Sequence, residues 1–256
     1  MLARTVAVPL VILLAASACA TGGTIGPLVD GGTLTDASPA SDAATTMSIP
    51  TLRNPAAPGH PSVGSWVTVA GAIVTGVKSA GTNHGFFVQD PTAKAWGATF
   101  VFVGPATVTV AAGDVVTVTA TLTPYRGLDE LDATQGTISQ TGSASVPSPI
   151  DVTPNDIREG SVTAPQYQSM LLRVMKVTAT TPTSATDFTV VSSAGSGNDT
   201  LIVTSYMAND VGSSPFPASA GQTYSSIIGH GYKFGPTDAA AVAKLAPTSS
   251  SQVSSP

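Results

Sequence analysis

The feature that most narrows what this chain can fold into is a β-branched run edged by glycine, Trp66-Val67-Thr68-Val69-Ala70-Gly71-Ala72-Ile73-Val74-Thr75-Gly76-Val77. Valine, isoleucine and threonine lose side-chain freedom in a helix and pack well on a pleated surface, so the run reads as one long strand that bends at its glycines. Shorter runs of the same kind follow at Phe86-Phe87-Val88-Gln89, at Thr99-Phe100-Val101-Phe102-Val103 and over residues 114–123, where threonines alternate with valines. Residues 127–136 read as an acidic connection and residues 137–140 as a weaker strand. Five short strands in succession predict a small closed barrel, which removes the exposed edges that a flat sheet leaves.

The pattern then starts over. Residues 147–154, punctuated by proline, read as a linker. Strands are expected again over 170–178, 188–191, 201–204 and 223–229, and the interval from Val67 to Phe86 is close to that from Leu171 to Phe188. Tyr125-Arg126-Gly127 has a counterpart in Tyr232-Lys233-Phe234-Gly235, so the second half is expected to be a divergent repeat of the first. The prediction is an all-β protein of two tandem five-stranded barrels, over 48–147 and 148–248. Alanine-rich residues 238–245 predict one short helix, and residues 249–256 a disordered tail.

Composition sets the limits on this reading. With 42% apolar and 10% charged residues, the chain lies far from the signature of disorder. Residues 20–47 are the exception: small and polar residues with three aspartates but no Lys, Arg or aromatic residue predict a flexible tether over 19–47. A single cysteine, Cys19, rules out a disulfide within one molecule, so the barrels must be held by buried Val, Ile, Leu and Phe.

Cys19 also closes an N-terminal pattern. Arg4 is followed by an apolar run over residues 6–16, too short to span a bilayer, and then by small residues suited to a signal peptidase. Leu13-Leu14-Ala15-Ala16-Ser17-Ala18-Cys19 resembles the lipobox of bacterial lipoproteins. The resemblance implies a signal peptide over 1–18 and acylation of the Cys19 thiol, which would tether the protein to a membrane in the bacterial cell envelope. Ala20 after the cysteine, where aspartate would retain a lipoprotein, implies the outer membrane.

The strands carry a second resemblance. Val69-Ala70-Gly71-Ala72-Ile73-Val74-Thr75-Gly76, Gly85-Phe86-Phe87-Val88-Gln89-Asp90-Pro91 and Val110-Ala111-Ala112-Gly113-Asp114-Val115-Val116-Thr117-Val118 are similar to the OB-fold module found beside bacterial extracellular nucleases. Gln168-Ser169-Met170-Leu171-Leu172-Arg173-Val174, Ile227-Ile228-Gly229 and Leu245-Ala246-Pro247 echo its later elements. The resemblance implies OB-like barrels and makes nucleic acid a conceivable ligand. Single strands are bound by aromatics within a basic groove, however, and only the aromatics are plentiful: Phe86, Phe87, Trp96, Phe100, Phe102 and Tyr125. The formal net charge of the chain is −5, and losing residues 1–18 with Arg4 leaves 9 − 15 = −6, which disfavours phosphate.

No catalytic constellation is legible. His60, His84 and His230 stand apart from one another and from carboxylates at ligand spacing, so no metal and no cofactor are expected. The serines lack a positioned base, and an enzyme is not expected. Asp129, Glu130 and Asp132 match no calcium-loop spacing and read as a solvated turn. Because they adjoin Tyr125 and Arg126 where barrel connections often carry ligand contacts, these five residues and Trp96 form the expected interaction surface. Two functions stay open: a non-catalytic envelope lipoprotein that binds protein or glycan, and a surface-tethered binder of single-stranded nucleic acid.

Overall fold

The computed structural model describes residues 43–182, 184–193, 199–210, 216 and 218–256. Cys19, the signal-peptide segment and residues 19–42 of the expected tether lie outside them. In chain order the first half forms β1 (Thr45–Thr46), α1 (Ile49–Arg53), β2 (Trp66–Lys78), β3 (His84–Gln89), β4 (Ala98–Gly104), β5 (Asp114–Tyr125) and β6 (Leu128–Ser143). The second half forms β7 (Ile150–Asp151), α2 (Pro154–Ile157), α3 (Ala164–Tyr167), β8 (Leu171–Pro182), β9 (Asp187–Ser192), β10 (Leu201–Thr204), β11 (Thr223–Phe234), β12 (Val242–Ala246) and β13 (Val253–Ser254).

The fold is all-β, as expected. The first barrel runs β2-β3-β4-β6-β5 and closes where β5 pairs with β2, with β4 and β6 parallel. The second runs β8-β9-β10-β12-β11 and closes where β11 pairs with β8, with β10 and β12 parallel. Both are therefore five-stranded OB-like barrels of one topology. Gly71, at φ +72, sits inside the register shift between Val69 and Ala72, where β2 leaves the middle of β5 and turns towards β3. Alternate residues fill each interior: Val116, Val118, Ala120 and Leu122 in the first barrel, and Phe188, Val190, Leu201 and Val203 in the second.

The repeat is longer than the sequence reading allowed. β1 lies parallel to β2 at Val67 and Thr68, and β7 lies parallel to β8 at Leu172 and Arg173. Each short strand leads into a one-turn helix with proline in its first turn, α1 or α2, whose Ile49 and Leu52, or Ile157, join the core of the barrel that follows. Residues 147–154 thus include β7 and the start of α2 instead of forming only a linker, because the pre-formed φ of Pro154 starts a helix there. Met47, assigned to the tether, packs against the first core.

Three more expectations are corrected. Residues 128–136 are not a connection but the start of β6, which joins β5 through the two-residue turn Arg126-Gly127. Acids on one face hid the period of two: Leu131 and Ala133 face the interior, while Leu128, Glu130 and Asp132 face outward. Residues 238–245 give a 3-10 turn over Asp238–Ala240 and then β12, because Val242 to Ala246 complete the ladder beside β11. The tail over 249–256 is ordered, with a 3-10 turn at Ser250–Gln252 and β13 paired to β11.

The two barrels share a core. Phe86 points into the first barrel, and its neighbour Phe87 points out, joining Phe100, Leu128, Met207, Tyr232 and Ala246 in a cluster contributed by both barrels. His230 of β11 is fully buried and stacks on Phe87 at 4.0 Å, and its Nε2 shares a hydrogen bond of 3.0 Å with Thr75 Oγ1. Gly76 has to be glycine for this approach, since a Cβ there would meet His230 Cε1 at 2.5 Å. Gln89 Oε1 accepts the Leu171 N–H at 2.9 Å, which ties the end of β3 to the start of β8.

Candidate functional site

The barrels do not cover each other's facing surfaces completely, and beside the shared cluster they leave an open cleft of about 490 Å3. The first barrel supplies one wall: Phe100 and Phe102 of β4, Tyr125 and Arg126 at the hairpin, and Glu130 and Asp132 of β6. The second barrel supplies Tyr206 and Met207 after β10, and Tyr232 and Phe234 of β11. Lys78 and Asn83 close the rim at the β2–β3 loop. That loop is held from the second barrel by Asn209, whose Oδ1 accepts the N–H groups of Ser79 and Ala80 and whose Nδ2 donates to Val77 O at 2.7 Å.

The aromatic rings form a platform. Tyr232 and Phe234 alternate along one face of β11 with centroids 5.8 Å apart and planes 12° apart, and Tyr206 lies 5.5 Å from Phe234 at 17°. Tyr125 and Tyr206 remain 48% and 37% exposed, so ring surface is open to a ligand. Both cations of the cleft rest on rings: Lys78 Nζ lies 4.9 Å from the Tyr206 centroid, and the Arg126 guanidinium 5.3 and 5.4 Å from those of Tyr125 and Phe234. Among the described residues neither is in an ion pair. Arg126 has φ +50 and Gly127 φ +85, as a two-residue hairpin turn requires, and the left-handed region is unusual for arginine.

Glu130 is the electrostatic centre of the cleft. It is 6% exposed, and among the described residues no hydrogen-bond donor reaches its carboxylate. Burial, reinforced by the Asp132 charge, pushes its pKa up to about 8, so at neutral pH it is mostly protonated. Burial, together with the nearby Tyr206 hydroxyl and Glu130, also raises Tyr232 well above its ordinary value. Burial lowers Lys78.

Four of the six residues expected to form an interaction surface meet here: Tyr125, Arg126, Glu130 and Asp132. Asp129 does not, because it lies on the opposite side of β6 and pairs with the buried Arg53 of α1. Arg53 also donates to Ala98 O at 3.2 Å and to the Gln168 side-chain oxygen, so the pair is structural. Trp96 is half-buried at φ +58, and its N–H donates to Gln166 O at 2.7 Å, away from the cleft. Sequence reasoning missed Lys78, Tyr206, Met207, Tyr232 and Phe234. The alternation Tyr232-Lys233-Phe234, matched to Tyr125, was the available signal. Among the described residues no three His, Cys, Asp or Glu side chains converge as a metal site requires.

A second hollow of about 430 Å3 lies between Gly127, Ile157, Tyr167 and Tyr232, but its charges are paired, Asp129 with Arg53, Lys233 with Glu159 and Lys244 with Asp187. In the aromatic cleft, by contrast, Glu130, Lys78 and Arg126 are in no ion pair among the described residues. Comparison with known proteins returns no match, either to a family model or to a curated protein.

Proposed function

We propose that this chain is a non-catalytic binding protein of the bacterial cell envelope, anchored through Cys19, whose inter-barrel cleft holds a saccharide. The observation that carries the reading is the aromatic platform beside two carboxyl groups in a cleft of ligand size. Pyranose rings present an apolar C–H face to aromatic rings and hydroxyls to carboxyl groups, so this lining suits them. The position agrees: the face of the second and third strands, with the first–second and fourth–fifth strand loops, is where OB barrels bind oligosaccharides and oligonucleotides. The second barrel packs on Phe87 and Phe100 of that face, and the cleft beside them has room for a short ligand.

Cleavage of such a ligand is disfavoured by the origin of the acids. A glycosidase places two carboxyl groups on either side of the scissile bond, whereas Glu130 and Asp132 both project from one face of β6. Ligand-observed NMR with neutral and amino oligosaccharides tests the proposal: saturation transfer that disappears in Tyr206→Ala supports it, and no transfer from any saccharide refutes it. Lys78 and Arg126, in no ion pair among the described residues, favour a second reading, single-stranded nucleic acid with bases on the platform and phosphates at the rim. Filter binding of single-stranded DNA that is tight and falls steeply with salt would select it. For the anchor, a Cys19→Ala chain should leave the membrane fraction of cells.

A further inference from the structure

We infer that the cleft grips its ligand by a cationic nitrogen, an amino group on a sugar ring seated against Glu130. The inference rests on the saccharide reading and narrows it to amino sugars. Glu130 is 6% exposed, faces the cleft, and has no hydrogen-bond or ion-pair partner among the described residues, so its carboxyl is left to a ligand. The groups that line the cleft with it are Asp132 on its own strand, Tyr125 on β5, Tyr206 after β10, Tyr232 on β11, and the cations Lys78 and Arg126. Both cations are committed elsewhere: Lys78 Nζ donates to Ala80 O at 2.6 Å and lies over Tyr206, and Arg126 lies over Tyr125 and Phe234. Neither reaches a carboxylate within ion-pair distance.

An ammonium group supplies what the site lacks. It brings positive charge to Glu130 and Asp132 and N–H donors to a carboxylate without any. An anionic group seated against Glu130 would meet the Asp132 charge and could not draw the proton from Glu130. A neutral hydroxyl would leave Glu130 protonated and gain one ordinary hydrogen bond. Since burial holds the free Glu130 carboxyl protonated up to about pH 8, binding a permanent cation expels its proton. Affinity for such a cation therefore rises with pH below 8, by about tenfold per pH unit.

Calorimetry on the full chain with three probes tests this: the glucosamine trisaccharide, the N-acetylglucosamine trisaccharide and choline. The free-amine trisaccharide should bind about tenfold more tightly than the acetylated one, and Glu130→Gln should abolish the difference. Choline affinity should rise about tenfold from pH 6 to pH 7 in the unaltered chain, a readout that needs no variant. Equal affinity for the two trisaccharides, or a preference that survives Glu130→Gln, overturns the inference and leaves the saccharide reading standing. Choline binding with the stated pH dependence, without binding of either trisaccharide, upholds the cation site and removes the saccharide reading. If none of the three binds, both are refuted.

Discussion

Two buried groups titrate in opposite senses, and their sum gives this protein a pH–stability profile that can be worked out in advance. Burial raises Glu130 from 4.5 to about 8, so between those values the folded chain holds a proton that the unfolded chain has released. Stability contributed by this group is full below pH 4.5 and falls by about 1.4 kcal/mol for each pH unit up to 8. Burial between the barrels lowers His230 from 6.5 to about 3, so the unfolded chain binds the extra proton, and stability is full above pH 6.5 and lost as pH falls towards 3. Between pH 4.5 and 6.5 the two slopes cancel. The unaltered chain should therefore show a stability plateau there and a decline on either side. Glu130→Gln removes one slope, leaving stability that climbs by ~1.4 kcal/mol per unit from pH 4.5 to 6.5 and is level above. His230→Gln leaves a decline from pH 4.5 to 8. Urea unfolding followed by tryptophan fluorescence at half-unit pH steps measures all three profiles. Because the slopes are compared, a constant cost from either substitution drops out. A Glu130→Gln profile parallel to that of the unaltered chain would refute the account of the cleft, and a parallel His230→Gln profile would refute the account of the interface.

Gly76→Ala forces a Cβ to 2.5 Å from the His230 ring and 3.1 Å from Thr248, and should cost about 1–3 kcal/mol in urea unfolding. Asp129→Ala leaves the guanidinium of Arg53 buried without its counter-charge and should destabilise by about 3 kcal/mol, read as a lowered urea midpoint. Arg126→Asn relieves a left-handed backbone but gives up two ring contacts, so stability should stay within about 0.5 kcal/mol in the same assay.

The local rules of strand formation made most of the barrels readable. β2, β3, β4, β5, β8, β9 and β10 coincide with β-branched or aromatic runs bounded by Gly, Pro or polar residues. Where reading failed, a local signal was masked. The acids of β6 stood where a solvated turn would place them, yet they are the outward half of an alternating strand whose inward half is Leu131 and Ala133. The alanines after Asp238 favoured a helix in isolation, and ladder pairing with β11 took precedence. α1 and α2 were too short for any periodicity, although proline followed by an apolar residue and arginine occurs in both.

The candidate site divides along the same line. Tyr125, Arg126, Glu130 and Asp132 could be picked out from the sequence because they are neighbours across one hairpin, whose turn brings them together whatever the rest of the chain does. Their partners Tyr206, Tyr232 and Phe234 arrive from a segment far along the chain, and in sequence they look like residues of the second core. Period-two patterning specifies which face of a strand is apolar, and so it determined the barrels. It does not specify what an outward apolar face will meet. That was decided by the packing of Phe87, Phe100 and Leu128 against Met207, Tyr232 and His230, beside which the cleft stays open.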